Sequence, residues 1–137
     1  MDIDEALVQY ITEQIKDTAP LANLRFKYGI ADLTEQDASR DVCVVQITNI
    51  QQPRDYGGDA LYEEVSILMA FIFQRDRRFR DKLRAIKAIM FDNLARFGGN
   101  IGGNEVTRVN VLFGSQDFSD LFELASAIYT LDVQYNI

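Results

Sequence analysis

The sequence LYEEVSILMAFIF at residues 61–73, followed by an amphipathic stretch at residues 79–97, decides the fold. In the first segment Leu61 and every second residue from Val65 to Phe73 are apolar, the period of two that a β-strand requires. Glu63 is the one polar residue in that set. From Leu68 onward the other face is apolar too, which predicts that this end of the strand is covered on both sides.

The second segment predicts a helix that follows the strand almost without a loop. Its apolar residues recur every three or four positions and therefore form one stripe on a helix surface. The stripe consists of Phe79, Leu83, Ile86, Met90, Leu94 and Phe97. Gly98 and Gly99 are expected to end the helix, because glycine is the common residue just past a helix C-terminus.

The remaining elements follow from the same two periods. Apolar residues every four positions predict an N-terminal helix at residues 3–15, and alternation predicts strands at residues 24–28, 42–50, 106–113 and 125–135. We further expect a turn at 114–117, a single helical turn at 118–123, and polar or glycine-rich connections at 51–59 and 98–103. The second connection is not a phosphate loop, because it follows a helix and leads into a strand.

These elements predict one α+β domain over residues 1–137: a single, mainly antiparallel four- or five-stranded sheet with two helices packed on one face. The other face of the sheet must then be solvated or used by a partner.

The composition argues against catalysis. The chain has no histidine and a single cysteine, Cys43, in an apolar run typical of a buried residue. We therefore expect no enzymatic activity, no cofactor and no metal. A carboxylate metal site of Glu63, Glu64, Asp55 and Asp59 is the alternative to a solvated loop edge, and a carboxylate-based hydrolase is the alternative enzyme. No apolar run is long enough to span a membrane.

Charge is distributed unevenly along the chain. Residues 75–87 contain seven Lys and Arg and two Asp, a net charge of +5, whereas the whole chain carries −7 and the rest therefore −12. The basic residues are Arg75, Arg77, Arg78, Arg80, Lys82, Arg84 and Lys87. This run has three interpretations: an exposed helix face partly paired with Asp76 and Asp81, a subunit interface, or a nucleic-acid contact.

The order of elements resembles that of the tail terminator, or tail completion, proteins of tailed bacteriophages, a family also labelled minor capsid proteins. The similar features are the N-terminal helix, the strand at 42–47 with a polar loop after it, and the strand YEEVSI at 62–67. A helix at 80–94 and a closing aromatic-bearing strand at 127–135 complete the resemblance, which covers nearly the whole chain. The strength of the basic run matches no family feature.

The resemblance implies a structural virion protein, assembled in the host cytoplasm, that forms a homo-hexameric ring at the head-proximal end of the tail. Such a ring caps the tail tube, contacts the tail tube protein and a neck or head-completion protein, and leaves a passage for DNA. A head–tail connector or other neck adaptor is the alternative, and a small nucleic-acid-binding protein using residues 75–87 is the alternative of another class. Candidate interface residues are Arg75, Arg77, Arg78, Arg80, Arg84, Glu63, Glu64, Asp55 and Asp59.

Overall fold

The structure is a computed structural model that describes residues 3–16, 21–29, 32–35, 40–51, 62–74, 78–93, 99–101, 104–119 and 124–136. The elements in chain order are α1 (Ile3–Ile15), β1 (Arg25–Tyr28), β2 (Val42–Gln51), β3 (Tyr62–Gln74), α2 (Phe79–Ala88), a π-helical turn (Ile89–Asn93), β4 (Gly99–Ile101), β5 (Asn104–Ser119) and β6 (Leu124–Asn136).

All the strands form one sheet in the order β1-β2-β3-β6-β5-β4. Five strands have at least four residues, and the sixth, β4, has three and pairs only with the start of β5. Every neighbouring pair is antiparallel except β1 and β2, which run parallel. The predicted α+β class with a mainly antiparallel sheet is therefore confirmed.

Strand β3 lies at the centre of the sheet and pairs with β2 on one side and β6 on the other. Its residues Val65 to Phe73 at alternate positions are fully buried, as their period of two predicts. The same face of β6 is buried from Ala125 to Tyr135. These two rows face the helices. The pair of β3 and β6 therefore provides the sheet side of the hydrophobic core.

Both helices cover that face of the sheet through their apolar stripes. In α1 the buried residues include Leu7, Ile11 and Ile15, and in α2 they include Leu83 and Ile86. The helix after β3 was expected to remain α-helical to residue 94, which is wrong: the α-helix ends at Ala88 and a π-helical turn follows. The wider turn lets the consecutive residues Ile89 and Met90 both reach the core. Leu94, Phe97 and Gly98 lie outside the described residues.

Strand β5 is longer than predicted. The expected turn at 114–117 is wrong, because the strand continues through it to Ser119 with a bulge between Phe113 and Ser115. At Gly114 the backbones of β5 and β6 lie too close for a side chain, because a Cβ at this position would be 3.1 Å from the carbonyl oxygen of Ile128 on β6. The expected helical turn at 118–123 is likewise wrong for its first two residues, which are in β5; residues 120–123 lie outside the described part.

The glycine-rich connection at 98–103 also differs from the expectation, since Gly99–Ile101 is strand β4, paired with Asn104–Val106. Residues 102 and 103, and most of the loop at 51–59, lie outside the described residues.

Candidate assembly surface

The outward face of α2 carries the basic residues that the sequence singled out. Arg78, Arg80, Arg84 and Lys87 are exposed, while Arg75 and Arg77 lie outside the described residues. The spacing of Arg80, Arg84 and Lys87 puts them on one side of the helix, next to the stripe that packs on the sheet. Exposed basic residues are therefore aligned along this helix.

A shallow groove runs between this side of α2 and strand β5. It is lined by Arg80, Leu83, Arg84, Lys87 and Gln116. The Lys87 ammonium lies 5.1 Å from the centre of the Phe113 ring, and the Arg80 guanidinium lies 5.6 Å from the centre of the Phe79 ring. These cation–π contacts hold two charges against apolar surface without neutralising them.

Among the described residues, acidic side chains neutralise the basic residues of the groove only slightly. Arg84 approaches Asp81 at 3.7 Å, but both side chains are more than half exposed, so the pair contributes little. The partial pairing with Asp81 that the first interpretation expected is therefore present, whereas Asp76 lies outside the described residues. The lining side chains of the groove therefore carry three positive charges, from Arg80, Arg84 and Lys87.

Lys82 differs from the other basic residues of the run. Its ammonium lies 2.7 Å from the Asp41 carboxylate, and the two side chains are only 9% and 11% exposed. The other oxygen of Asp41 accepts a hydrogen bond from the backbone N–H of Gln74 at 2.9 Å. Lys82 therefore connects α2 to the ends of β2 and β3 and is unavailable to a partner.

The position of Lys82 in the helix could have predicted its burial from the sequence. Lys82 is three residues after Phe79 and four before Ile86, so it lies on the edge of the apolar stripe and not with Arg80 and Arg84. A charge at such a position requires a buried partner, and Asp41, at the start of a strand, provides it.

The acidic candidates do not form a site with the basic ones. Glu63 lies on the helix-covered face and accepts a hydrogen bond from the Tyr135 hydroxyl, and Glu64 lies on the opposite face. Both are at the opposite end of β3 from Gln74, roughly 33–36 Å away along the strand at about 3.3 Å per residue. Asp55 and Asp59 lie outside the described residues. Among the described residues, no three Cys, Asp or Glu side chains are close enough to hold a metal ion.

The Cys43 thiol and the Tyr129 phenol are two further polar groups buried in the described part of the chain. Burial raises the pKa of the Cys43 thiol well above its usual value, so this thiol stays protonated and unreactive, as its apolar surroundings predicted. Burial also raises the pKa of the Tyr129 phenol to about 12. The Tyr129 hydroxyl has no hydrogen-bond partner among the described residues, and its ring contacts those of Phe71, Phe91 and Phe113.

Comparison with known proteins adds information on the fold alone. No family model and no curated protein matches the chain. One solved structure, of a protein known only by a sequence identifier, is similar over 97% of this chain and 92% of its own, with a TM-score of 0.60 and 14% sequence identity. A similar fold therefore occurs in a chain of very different sequence. In the described part of the chain, no helix is both long and apolar enough to cross a membrane.

Proposed function

We propose that this chain is a structural virion protein, a tail terminator that forms a ring at the head-proximal end of a phage tail. In that position it caps the tail tube and joins it to the neck. The support is the resemblance in element order, together with a fold of the kind the resemblance implies: one sheet with two helices on one face.

The observation that carries the proposal is the separation of charge within one molecule. The groove of Arg80, Arg84 and Lys87 is basic, whereas the rest of the chain is strongly acidic, and Glu64 lies at the far end of the sheet. Because the basic groove and the acidic surface are on different parts of one molecule, they can come into contact only when the groove of one copy meets the acidic surface of another. A contact between two different patches is heterologous, and heterologous contacts form rings when the rotation closes.

Self-association through charge makes the proposal testable by charge reversal. Arg80, Arg84 and Lys87 changed together to Glu should shift the population from ring to monomer, with the fold intact because all three side chains are exposed. The control reverses Lys16 and Arg25, which are also exposed but lie outside α2, directly after α1 and in β1. Analytical ultracentrifugation at low and high salt gives the mass, and high salt should weaken the wild-type ring, since exposed charges are screened beyond about 8 Å at physiological ionic strength.

The same samples distinguish the alternative functions. Electron micrographs of tail tubes assembled with the protein should show one ring at one end of each tube; a ring that binds only to the neck side would instead favour a connector or neck adaptor. A wild-type protein that stays monomeric at every concentration and salt, but binds duplex DNA through Arg80, Arg84 and Lys87, would replace the proposal with the nucleic-acid-binding function.

A further inference from the structure

The sheet has a second face, opposite the two helices, which we call the back face. On β3 and β6 the residues of this face alternate with the buried ones, and they are half-buried or exposed. Strand β5 contributes Leu112 to the same face, where this residue is 50% exposed. A leucine with this exposure in the middle of a strand shows that the back face is accessible around it in the single chain.

Two carboxylates lie beside Leu112 in one diagonal line. Leu112 is level with Thr130 on β6, and Asp132 is two residues further along that strand. Glu64 on β3 is level with Gln134, again two residues further along. Each step therefore crosses to the next strand and moves two residues along it, so the three side chains span about 15 Å in two steps of about 7–8 Å. We call Leu112, Asp132 and Glu64 the back-face row.

The carboxylates of the back-face row are not neutralised within the chain. Among the described residues, neither Glu64 nor Asp132 forms an ion pair with a Lys or Arg. The Ser66 hydroxyl donates a hydrogen bond of 2.7 Å to Oδ1 of Asp132 and so holds that carboxylate in place. Arg108 is level with Gln134 and lies on the other diagonal through Asp132. A basic partner is therefore repelled along that diagonal and attracted along the row.

A line of similar length lies on the helix side of the sheet. Phe113, the residue after Leu112, belongs to the helix-covered face and is 40% exposed. The Lys87 ammonium lies 5.1 Å from the centre of its ring, and Arg84 and Arg80 follow along α2. The helix rises about 10.5 Å from Arg80 to Lys87, so the line from Phe113 to Arg80 is also about 15 Å long. We call these four residues the α2 row.

We propose that the α2 row of one copy docks on the back-face row of the next copy. In this contact Phe113 meets Leu112 of the neighbour, and the basic residues of α2 meet the neighbour's Asp132 and Glu64. The inference rests on the proposed function, and it names the acidic surface that receives the basic groove.

Charge and polarity select a second copy as the occupant of the back face. Each row has one exposed apolar residue on β5 and charges of a single sign beyond it. Docking buries Phe113 against Leu112 and places three cations beside two carboxylates, so the apolar contact adds affinity and the charges fix the orientation. Two α2 rows facing each other would instead bring like charges together, which excludes an isologous contact through this surface.

The two rows are on opposite sides of one sheet, so a single copy uses both at once. Its α2 row binds one neighbour while its back-face row receives the α2 row of another, and the same contact repeats from copy to copy as a heterologous ring requires. Strands β1 and β2 contribute no residue to either row.

Charge reversal in two separate chains tests this pairing. One chain carries Glu64→Lys with Asp132→Lys, and the other carries Arg80→Glu, Arg84→Glu and Lys87→Glu. Each chain alone places like charges at every contact, so each should sediment as a monomer. In an equimolar mixture, alternation of the two chains restores opposite charges at every contact. The mixture should therefore regain the mass of the wild-type ring in analytical ultracentrifugation.

The matched control reverses two other exposed acids, Glu13 on α1 and Glu105 at the start of β5. It changes the net charge by the same amount as Glu64→Lys with Asp132→Lys and should retain the wild-type mass. Circular dichroism checks that both variants are folded.

A single variant tests the row without altering either carboxylate. Leu112→Lys adds a cation at an exposed position of the back-face row, so the fold and the Ser66 hydrogen bond should remain unchanged. It should lower the association constant by about tenfold or more, because the new charge faces the basic α2 row.

Failure of this contact and failure of the ring proposal give different results. If folded Glu64→Lys with Asp132→Lys forms the ring alone, if the mixture stays monomeric, or if Leu112→Lys associates like the wild type, the back-face contact is wrong while the wild-type ring remains. A wild-type protein that stays monomeric under all conditions overturns both proposals. Monomers from each reversed chain and a ring from their mixture are the expected outcome.

Discussion

At the scale of single residues, the ion pair of Lys82 and Asp41 differs from every other charge on α2. It fixes the start of the helix to the end of β3 through the Gln74 backbone, at a place where the side chains are almost fully buried. Breaking such a pair leaves an uncompensated charge in the interior, which costs far more than loss of an exposed pair.

The Lys82→Met variant should therefore lower the free energy of unfolding by about 3 kcal/mol, because Asp41 would remain buried without its cation. Arg84→Met on the same helix removes only the exposed pair with Asp81 and should cost less than about 1 kcal/mol. Urea denaturation measures both losses in the free energy of unfolding, provided that the m-values of the variants equal that of the wild type. Equal losses in the two variants would show that the Lys82 pair is solvated.

Tyr129 is the second residue whose environment makes a measurable prediction. The phenol is fully buried and lacks a hydrogen-bond partner among the described residues, so its neutral form is strongly favoured in the folded protein. Its pKa of about 12, against an ordinary value of 10.0, means that the unfolded chain loses this proton first as the pH rises.

Stability from this group is therefore fully present below pH 10 and is lost between pH 10 and about 12, by roughly 2–3 kcal/mol. Tyr129→Phe should remove this component of the alkaline decline and cost little at neutral pH, because the hydroxyl that it deletes makes no hydrogen bond to the described residues. Denaturation of both proteins at pH 8, 10 and 11.5 gives the comparison; identical pH profiles would contradict the assigned pKa.

At the scale of elements, the periodic spacing of apolar residues was the sequence feature that best predicted helices and strands. Periods of two and 3.6 depend on which residues face the core, so they predicted α1, β3, β6 and the start of α2 close to their observed bounds, but not the end of α2. They could not predict the π-helical turn. The apolar spacing from Ile86 to Met90 is that of an α-helix, and only the structure shows that Ile89 and Met90 are both buried.

Substitution within the α2 stripe tests that element directly. Leu83→Asp and Met90→Asp should each unfold the domain, with losses above about 4 kcal/mol, because each places an unpaired charge among residues that are fully buried. Ala88→Asp, at an exposed position of the same helix, should change stability by less than about 1 kcal/mol. Circular dichroism melting curves are sufficient; a wild-type melting temperature for either stripe variant would show that the packing is wrong.

The structural role of Gly114 could not be predicted from its local sequence. A glycine followed by polar residues usually marks a turn, yet Gly114 lies inside β5 because the bulge brings its backbone against Ile128. The parallel pairing of β1 and β2 was equally inaccessible, since a four-residue strand carries no information about its direction relative to a neighbour. Both features are decided by contacts between distant segments.

At the scale of the whole molecule, the candidate site was only partly predictable. The run of basic residues predicted an exposed basic face, and Arg78, Arg80 and Arg84 are exposed on and beside α2; an interface there stays a prediction. The back-face row was not visible in the sequence, because it depends on the order and register of strands in the sheet, which local periodicity does not encode. The acidic candidates Glu63 and Glu64 lie at the opposite end of β3 from the basic face, and the sequence did not show this separation.

The position of β6 between β3 and β5 has a consequence for how the chain is made. Strands β2 and β3 form one hairpin and β4 and β5 another, but only β6 joins them, and its partners in β3 are about sixty residues earlier. A ribosome that has not yet translated Leu124–Asn136 therefore exposes two separate halves with unpaired apolar edges. We expect nascent chains stalled before that segment to depend on chaperones for solubility, because neither half of the sheet has its β6 partner.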